Sequence, residues 1–193
     1  MNNQEINVVK FDENISKSDY ESIKALYNEA FPEKERIIGT FDDFINQVNT
    51  DKRFELNLIY AVPLDDGTNQ LVAFSYNLVE EDYFYGIFVA IKKEYRTKGY
   101  GKKIINYFKG NQAKNKHFFL CAEKVEDTAE NKQQRINRQA FFHKLGFSVV
   151  ESDIVINGVS FDFYSLNKVT HDEVDRYIYR IQNAIMPDYY EKN

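Results

Sequence analysis

Apolar and polar positions change rhythm several times along this chain, and each change marks an element. Residues 6–11 predict a first strand. Ser18-Asp19-Tyr20-Glu21 reads as a capping box. Ile23, Leu26, Tyr27 and Ala30 then recur at helical spacing, and Pro32 lies just beyond to end the helix. Thr40 and Asp43 predict the cap of a second short helix whose inward face is Phe44, Ile45 and Val48. Residues 56–62 and 71–78 read as strands of a hairpin turned by Asp65-Asp66-Gly67-Thr68. Glu80, Glu81 and Asp82 make another polar turn before a strand over residues 83–91.

The second half repeats the theme with longer crossovers. Ile104, Ile105 and Phe108 mark one face of a helix, and residues 118–122 are a short apolar run that predicts a central strand. Residues 123–134 are polar and acidic. A helix carrying Ile136, Ala140, Phe141 and Leu145 inward then ends at Gly146. Strands over residues 147–150 and 159–166 are joined through Asn157-Gly158. Thr170 and Glu173 form a last capping box, followed by the stripe Val174, Tyr177, Ile178, Ile181 and Ile185, with Pro187 closing the helix. The pattern predicts one mixed α/β sheet, hairpins first and a strand–helix–strand crossover in the middle. The 193 residues are read as a single domain, with residues 170–186 as a C-terminal helical extension.

Composition narrows the class. The formal net charge is -5 and no basic block is sustained, which argues against a nucleic-acid partner. No stretch approaches the ~18 apolar residues of a membrane helix, and the first residues argue against a signal peptide, so no membrane is expected and the location expected is cytoplasmic. Cys121 is the only cysteine, which excludes an intrachain disulfide, and the three histidines are scattered, so no metal site is expected. Cys121 lies in an apolar run and reads as an inert buried thiol.

The densest chemistry lies between the fourth strand and the helix after it. Arg96-Thr97-Lys98-Gly99-Tyr100-Gly101 is a polar turn with two glycines at a helix start, where free backbone N–H groups suit phosphate oxygens. Arg96 adds a guanidinium for a charge-assisted bond. Gly101-Lys102-Lys103 lacks the hydroxyl of a Walker loop, and two glycines are too few for a dinucleotide fingerprint. The local basic island Lys92, Lys93, Arg96, Lys98, Lys102 and Lys103 suits a small polyphosphate in an otherwise acidic chain.

This turn, preceded by Ile91 and Glu94-Tyr95, resembles the pyrophosphate loop of the GCN5-related N-acetyltransferase (GNAT) family. Arg138-Gln139-Ala140-Phe141-Phe142-His143-Lys144-Leu145-Gly146-Phe147 resembles the family's helix-to-strand signature. The resemblance, which extends over roughly residues 5 to 167, implies a GNAT-like acyl-CoA N-acyltransferase fold: a central mixed, mostly antiparallel sheet flanked by helices. It implies acetyl-CoA as co-substrate and acetyl transfer to a primary amine, expected here to be a small cationic metabolite. Donor contacts implied are Phe88, Val89, Ala90 and Ile91 along the pantetheine arm, Arg96, Thr97, Lys98, Gly99, Tyr100, Gly101 and Lys102 around the pyrophosphate, and Asn137 and Phe141 from the later helix.

Two departures bear on mechanism. Phe142 stands where many members carry a tyrosine general acid, and Ile87 where an acid is frequent. The candidate base is instead Glu123, at the end of the strand over residues 118–122; Tyr85 is the second candidate catalytic residue, and Tyr83 and Tyr85 are candidate substrate contacts. Glu126, Asp127 and Glu130 add negative charge that would draw a cationic amine. A non-catalytic CoA-binding sensor or assembly module of the same fold is the alternative function. The final helix is compatible with packing on its own sheet or on a second copy in a homodimer.

Overall fold

A computed structural model describes residues 5–12, 15–31, 36, 39–63, 67–156 and 158–186. Alternation along the strands builds a seven-stranded sheet in the order β1-β2-β3-β4-β5-β7-β6. Its strands are β1 (Ile6–Lys10), β2 (Phe54–Ala61), β3 (Gln70–Val79), β4 (Tyr83–Ile91), β5 (His117–Glu123), β6 (Ser148–Ile156) and β7 (Val159–Ser165). Its helices are α1 (Lys17–Ala30), α2 (Phe41–Thr50), α3 (Tyr100–Gly110), α4 (Lys132–Lys144) and α5 (His171–Ile185). All neighbouring strands run antiparallel except β4 and β5, which α3 connects as a parallel crossover. The sheet is thus mixed and mostly antiparallel.

Each face of the sheet has its own apolar layer. Phe74, Tyr76 and Leu78 alternate toward α1, α2 and α5, where they meet Tyr27, Phe41, Phe44 and Tyr177 in one buried cluster. Ile59, Val72, Ala73, Phe84, Phe118 and Leu120 lie with the second cluster, built on Ile104, Ile105 and Phe108 of α3 and flanked by Phe141, Phe142 and Leu145 of α4. Phe44 is central to the first layer: its ring stacks on Tyr27 and meets Tyr76 edge-on with centroids 4.3 Å apart. α5 packs on its own sheet, with the Tyr177 ring 4.9 Å from Phe119 and 5.5 Å from Tyr83.

The capping boxes Thr40–Asp43 and Thr170–Glu173 are formed as expected. The first helix starts two residues earlier than its expected box: Ser16, not Ser18, caps it by accepting the Asp19 N–H at 3.0 Å. Asp19 is also held by the Tyr60 hydroxyl on β2 at 3.0 Å, so a tertiary contact selects between two equivalent serine spacings. In α4 the expected inward residues Ile136 and Ala140 face solvent, and Arg135 is buried instead. The Arg135 guanidinium bonds the Lys124 carbonyl and Asn131, which turns the helix by its polar contacts. Pro32, Pro187, Asp65, Asp66 and Asn157, expected at breaks and turns, lie outside the described residues.

Candidate active site

β4 and β5 share four rungs, Tyr83 with His117 through Gly86 with Leu120, and then part. Beyond that rung β4 stays paired with β3, and β5 with β7. A wedge therefore opens between Ile87–Ile91 on one lip and Cys121–Glu123 on the other. A register shift at Tyr76/Asn77 leaves Ile87 as the extra residue of a β-bulge beside the last shared rung. Bulges bend and twist a strand, which suits the parting.

The amides of the β4 lip follow from the ladder. The Lys92 N–H bonds the Val72 carbonyl at 2.9 Å, so alternate residues Ala90 and Phe88 also face β3. The main-chain groups of Val89 and Ile91 point into the wedge. Their side chains differ from those of Phe88 and Ala90, which are buried in the layer under α1 and α2; Val89 is 39% exposed. Placing the donor arm along these four residues therefore means contact through backbone for Val89 and Ile91.

α3 begins at the open end of this wedge. Gly99 precedes it at φ +89°, and no atom lies within 4 Å of where its Cβ would stand. Only a residue without a side chain takes that conformation freely, and here it leaves the helix start open. The first bond of the helix runs from the Lys103 N–H to the Gly99 carbonyl at 3.3 Å, so the N–H groups of Gly101 and Lys102 have no intrahelical acceptor. Thr97 is also left-handed, at φ +62°, and its hydroxyl bonds the Arg96 carbonyl at 2.6 Å. Gly101 serves packing: a Cβ there would stand 3.2 Å from Phe141 and 3.7 Å from Ile91. Tyr100 is buried, its side chain part of the α3 layer, while Lys102 is exposed. The turn fits a diphosphate, since amides, a helix N-terminus and open space coincide.

The side chains around the turn are more occupied than expected. Arg96 Nε donates to the Ile91 carbonyl at 2.9 Å, and Nη2 meets Glu29 at 3.3 Å. Arg96 thereby braces the β4 lip through two of its guanidinium nitrogens, while its side chain stays 44% exposed. Lys98 lies over the Tyr95 ring at 5.4 Å. On α4, Asn137 is exposed and accepts from Gln133, and Phe141 abuts Gly101 from the opposite side of the wedge's mouth.

The two candidate catalytic side chains are not free groups. Tyr85 is 3% exposed, its ring tilted against Phe163 and its hydroxyl hydrogen-bonded to Cys121. Burial raises its hydroxyl well above the ordinary tyrosine value and pushes the Cys121 thiol up to about 12. Tyr85 is thus a core residue and offers no hydroxyl to a substrate. Tyr83 is also fully buried, beneath the Arg180 guanidinium, 4.7 Å from its ring. Glu123 does sit on the β5 lip, but its carboxylate is 11% exposed and ion-paired with Arg138 of α4. Two acids of the segment after it are paired likewise: Asp127 with Lys132 at 2.7 Å and Glu126 with Arg135 at 3.6 Å, while Glu130 is exposed.

Arg138 is the residue that sequence reasoning missed. It stands one helical turn before Phe142 on the same side of α4 and spans from that helix to β5. Its Nε is buried without a hydrogen-bond partner. A signal existed in the polar character of the α4 inner face, but the partner lies fifteen residues away and only the fold brings it close. Glu151, His171 and Asp175 bring ligand atoms within 4.8 Å of one another; His171 and Asp175 are exposed and pair with each other at 3.8 Å. Among the described residues no helix is long and apolar enough to cross a membrane.

Comparison with known proteins agrees with this fold. Residues 58–149 match the model of the acetyltransferase (GNAT) domain. Among solved structures, a putative acetyltransferase of the GNAT family from Bacteroides thetaiotaomicron aligns with TM-score 0.68 and 19% identity, over 93% of this chain and 97% of the other. An aminoglycoside 6'-N-acetyltransferase complexed with coenzyme A aligns with TM-score 0.59 and 14% identity, over 85% and 99% of the two chains. Arabidopsis thaliana Naa50, in complex with a bisubstrate analogue that joins CoA to a peptide, aligns with TM-score 0.55 and 14% identity, over 86% and 99%. Among curated proteins the sequence finds no match. Residues 58–149 therefore match the acetyltransferase (GNAT) domain, and most of the chain shares the fold of these solved structures.

Proposed function

We propose that this protein transfers an acetyl group from acetyl-CoA to a primary amine. The observation that carries the reading is the parting of β4 from β5 after the Gly86–Leu120 rung, directly beside an open, glycine-started helix N-terminus. The main chain of Gly99, Gly101 and Lys102 would hold the diphosphate, and the backbone of Val89 and Ile91 would pair with the extended arm as an added strand. When bound, the thioester supplies an activated acyl carbonyl. The Val89 N–H, aimed into the wedge, stabilises the negative charge that grows on the carbonyl oxygen. The protein's remaining tasks are to hold the amine in line and to keep it unprotonated, against an ordinary ammonium pKa of ~10.4.

Phe142 leaves the departing thiolate without a tyrosine proton donor, and a thiol of pKa ~8.5 leaves acceptably without one. Of the acids expected to favour a cationic acceptor, Glu126 and Asp127 have basic partners, as does Glu123, while Glu130 is exposed. Incubation with acetyl-CoA and a panel of primary amines, followed by release of free thiol, tests the assignment. Amine-dependent release supports it. Tight CoA binding without release across the panel would favour the second reading, a CoA-binding module, which the Phe142 ring and the tied Glu123 carboxylate favour.

A further inference from the structure

The Glu123–Arg138 pair faces the proposed oxyanion amide. Counted from the last shared rung, Gly86 with Leu120, Val89 and Glu123 each stand three residues up their lip of the wedge. The pair therefore lies across from the point where the acyl carbonyl would be polarised. Neither member is fully withdrawn from solvent, since Glu123 is 11% and Arg138 29% exposed.

The pair is also incomplete. Nε–H and one Nη2–H lie along the same edge of a guanidinium, the edge that a carboxylate takes with both oxygens. Glu123 fills the Nη2 half of that edge, and Nε stays buried and unpartnered. Buried N–H groups without partners are rare in native proteins and call for an explanation. Meanwhile the neighbouring acids Glu126 and Asp127 are neutralised by Arg135 and Lys132. A purely cationic acceptor would find no uncompensated carboxylate among these three acids. An acceptor bringing its own anion completes the edge.

Building on the acetyl-transfer reading, we infer that the acceptor is an amino acid, whose carboxylate displaces Glu123 from Arg138 and so frees Glu123 to take the ammonium proton. The exchange keeps the site's charge balanced throughout. The ammonium proton passes to the Glu123 carboxylate, directly or through one water, and leaves a neutral amine. The nitrogen lone pair then forms the C–N bond. The C–S bond breaks with its electron pair leaving on sulfur, and the second nitrogen proton goes to that sulfur or to solvent. Glu123 returns its proton to water, so the products are the N-acetyl amino acid, the free thiol and one proton. An acceptor lacking a carboxylate leaves Glu123 tied to Arg138 and the base masked.

The test compares, on the full chain with acetyl-CoA, each of the twenty amino acids with its carboxamide and with the amine lacking the carboxyl. Free-thiol release gives kcat/KM for each, and calorimetry checks CoA binding separately. At least one amino acid should outpace its amide by about a hundredfold, the scale of a lost charge-assisted bond. Arg138→Gln should collapse that ratio to about one, and Arg138→Lys should recover part of it. Thermal melting and CoA titration of Arg138→Gln guard against misfolding, so that a changed ratio reports acceptor recognition. The inference is overturned if amides or plain amines react as well as the acids, if Arg138→Gln slows both in proportion, or if no amino acid supports thiol release while CoA still binds. Absence of CoA binding would instead remove the underlying reading.

Discussion

Replacing Gly99 by the isosteric pair Asn and Asp separates backbone strain from charge at the proposed diphosphate site. Both side chains would enter open space, because nothing lies within 4 Å of the Cβ position, and both must adopt φ near +89°. An L residue in the left-handed region costs about 1–2 kcal/mol, and Asn and Asp tolerate it best, so that cost is nearly shared. What differs is one negative charge at the start of α3. In the unliganded protein that charge is favourable by ~0.3–1 kcal/mol, as an anion at a helix N-terminus, so Gly99→Asp should melt no lower than Gly99→Asn. CoA affinity should move the other way. Two like charges about 4 Å apart repel by about 1 kcal/mol in a water-like medium and about 4 kcal/mol at an effective dielectric near 20. Gly99→Asp should therefore bind CoA about fivefold to several hundredfold more weakly than Gly99→Asn, depending on how well solvent screens the turn. Titration calorimetry at low and high salt reads the difference, which should shrink as salt rises. Equal affinities in two folded variants would refute the placement of the phosphates.

Three further outcomes follow from the packing and charges. Phe44→Ala should lower stability by about 3–5 kcal/mol in urea unfolding, because the fully buried ring touches Tyr27, Phe41, Phe74 and Tyr76; a loss below ~1 kcal/mol would contradict that packing. Tyr85→Phe should keep turnover within about twofold, since the buried hydroxyl bonds Cys121; a loss above about tenfold in a stable variant would restore Tyr85 as a catalytic group. The Arg180 guanidinium bonds Asp82 at 2.6 and 2.9 Å and holds its carboxyl below the ordinary value. That stability is present above the unfolded carboxylate pKa of ~3.9 and is lost as pH falls through the lower folded value. The melting-temperature gap between wild type and Arg180→Gln should accordingly be steady near neutrality and close in acid, and a gap that widens on acidification would reverse the sign.

Much of the fold was legible because its signals are local. The alternation of β3, the Thr40–Asp43 and Thr170–Glu173 spacings and the glycines of the α3 turn each act within a few residues. Errors appear where a distant group decides. Ser16 and Ser18 offer equivalent cap spacings, and the Tyr60 contact to Asp19 accompanies the earlier start. The stripe expected on α4 was apolar, yet Arg135 and Arg138 turn inward because carbonyl and carboxylate partners await them on the β5 side. Tyr85 sits in a strand buried on both faces, so an aromatic hydroxyl there carries no directional information.

The two halves of the proposed site differ in kind. The donor half is made of main-chain amides, a left-handed turn and a bulge, none of which requires a particular polar side chain. Val-Ala-Ile can therefore line it, and the resemblance persists at 14–19% identity to solved structures of the same fold. The acceptor half depends on side chains that meet only in three dimensions, and here Phe142 lacks the hydroxyl while a Glu–Arg pair occupies the opposite lip. Loss of the tyrosine at one place and a half-filled guanidinium edge one turn away concern the same few ångströms of space. Substrate choice and proton handling in this chain should therefore change together under substitution at Arg138, whereas CoA affinity should follow the α3 turn and the β4 lip.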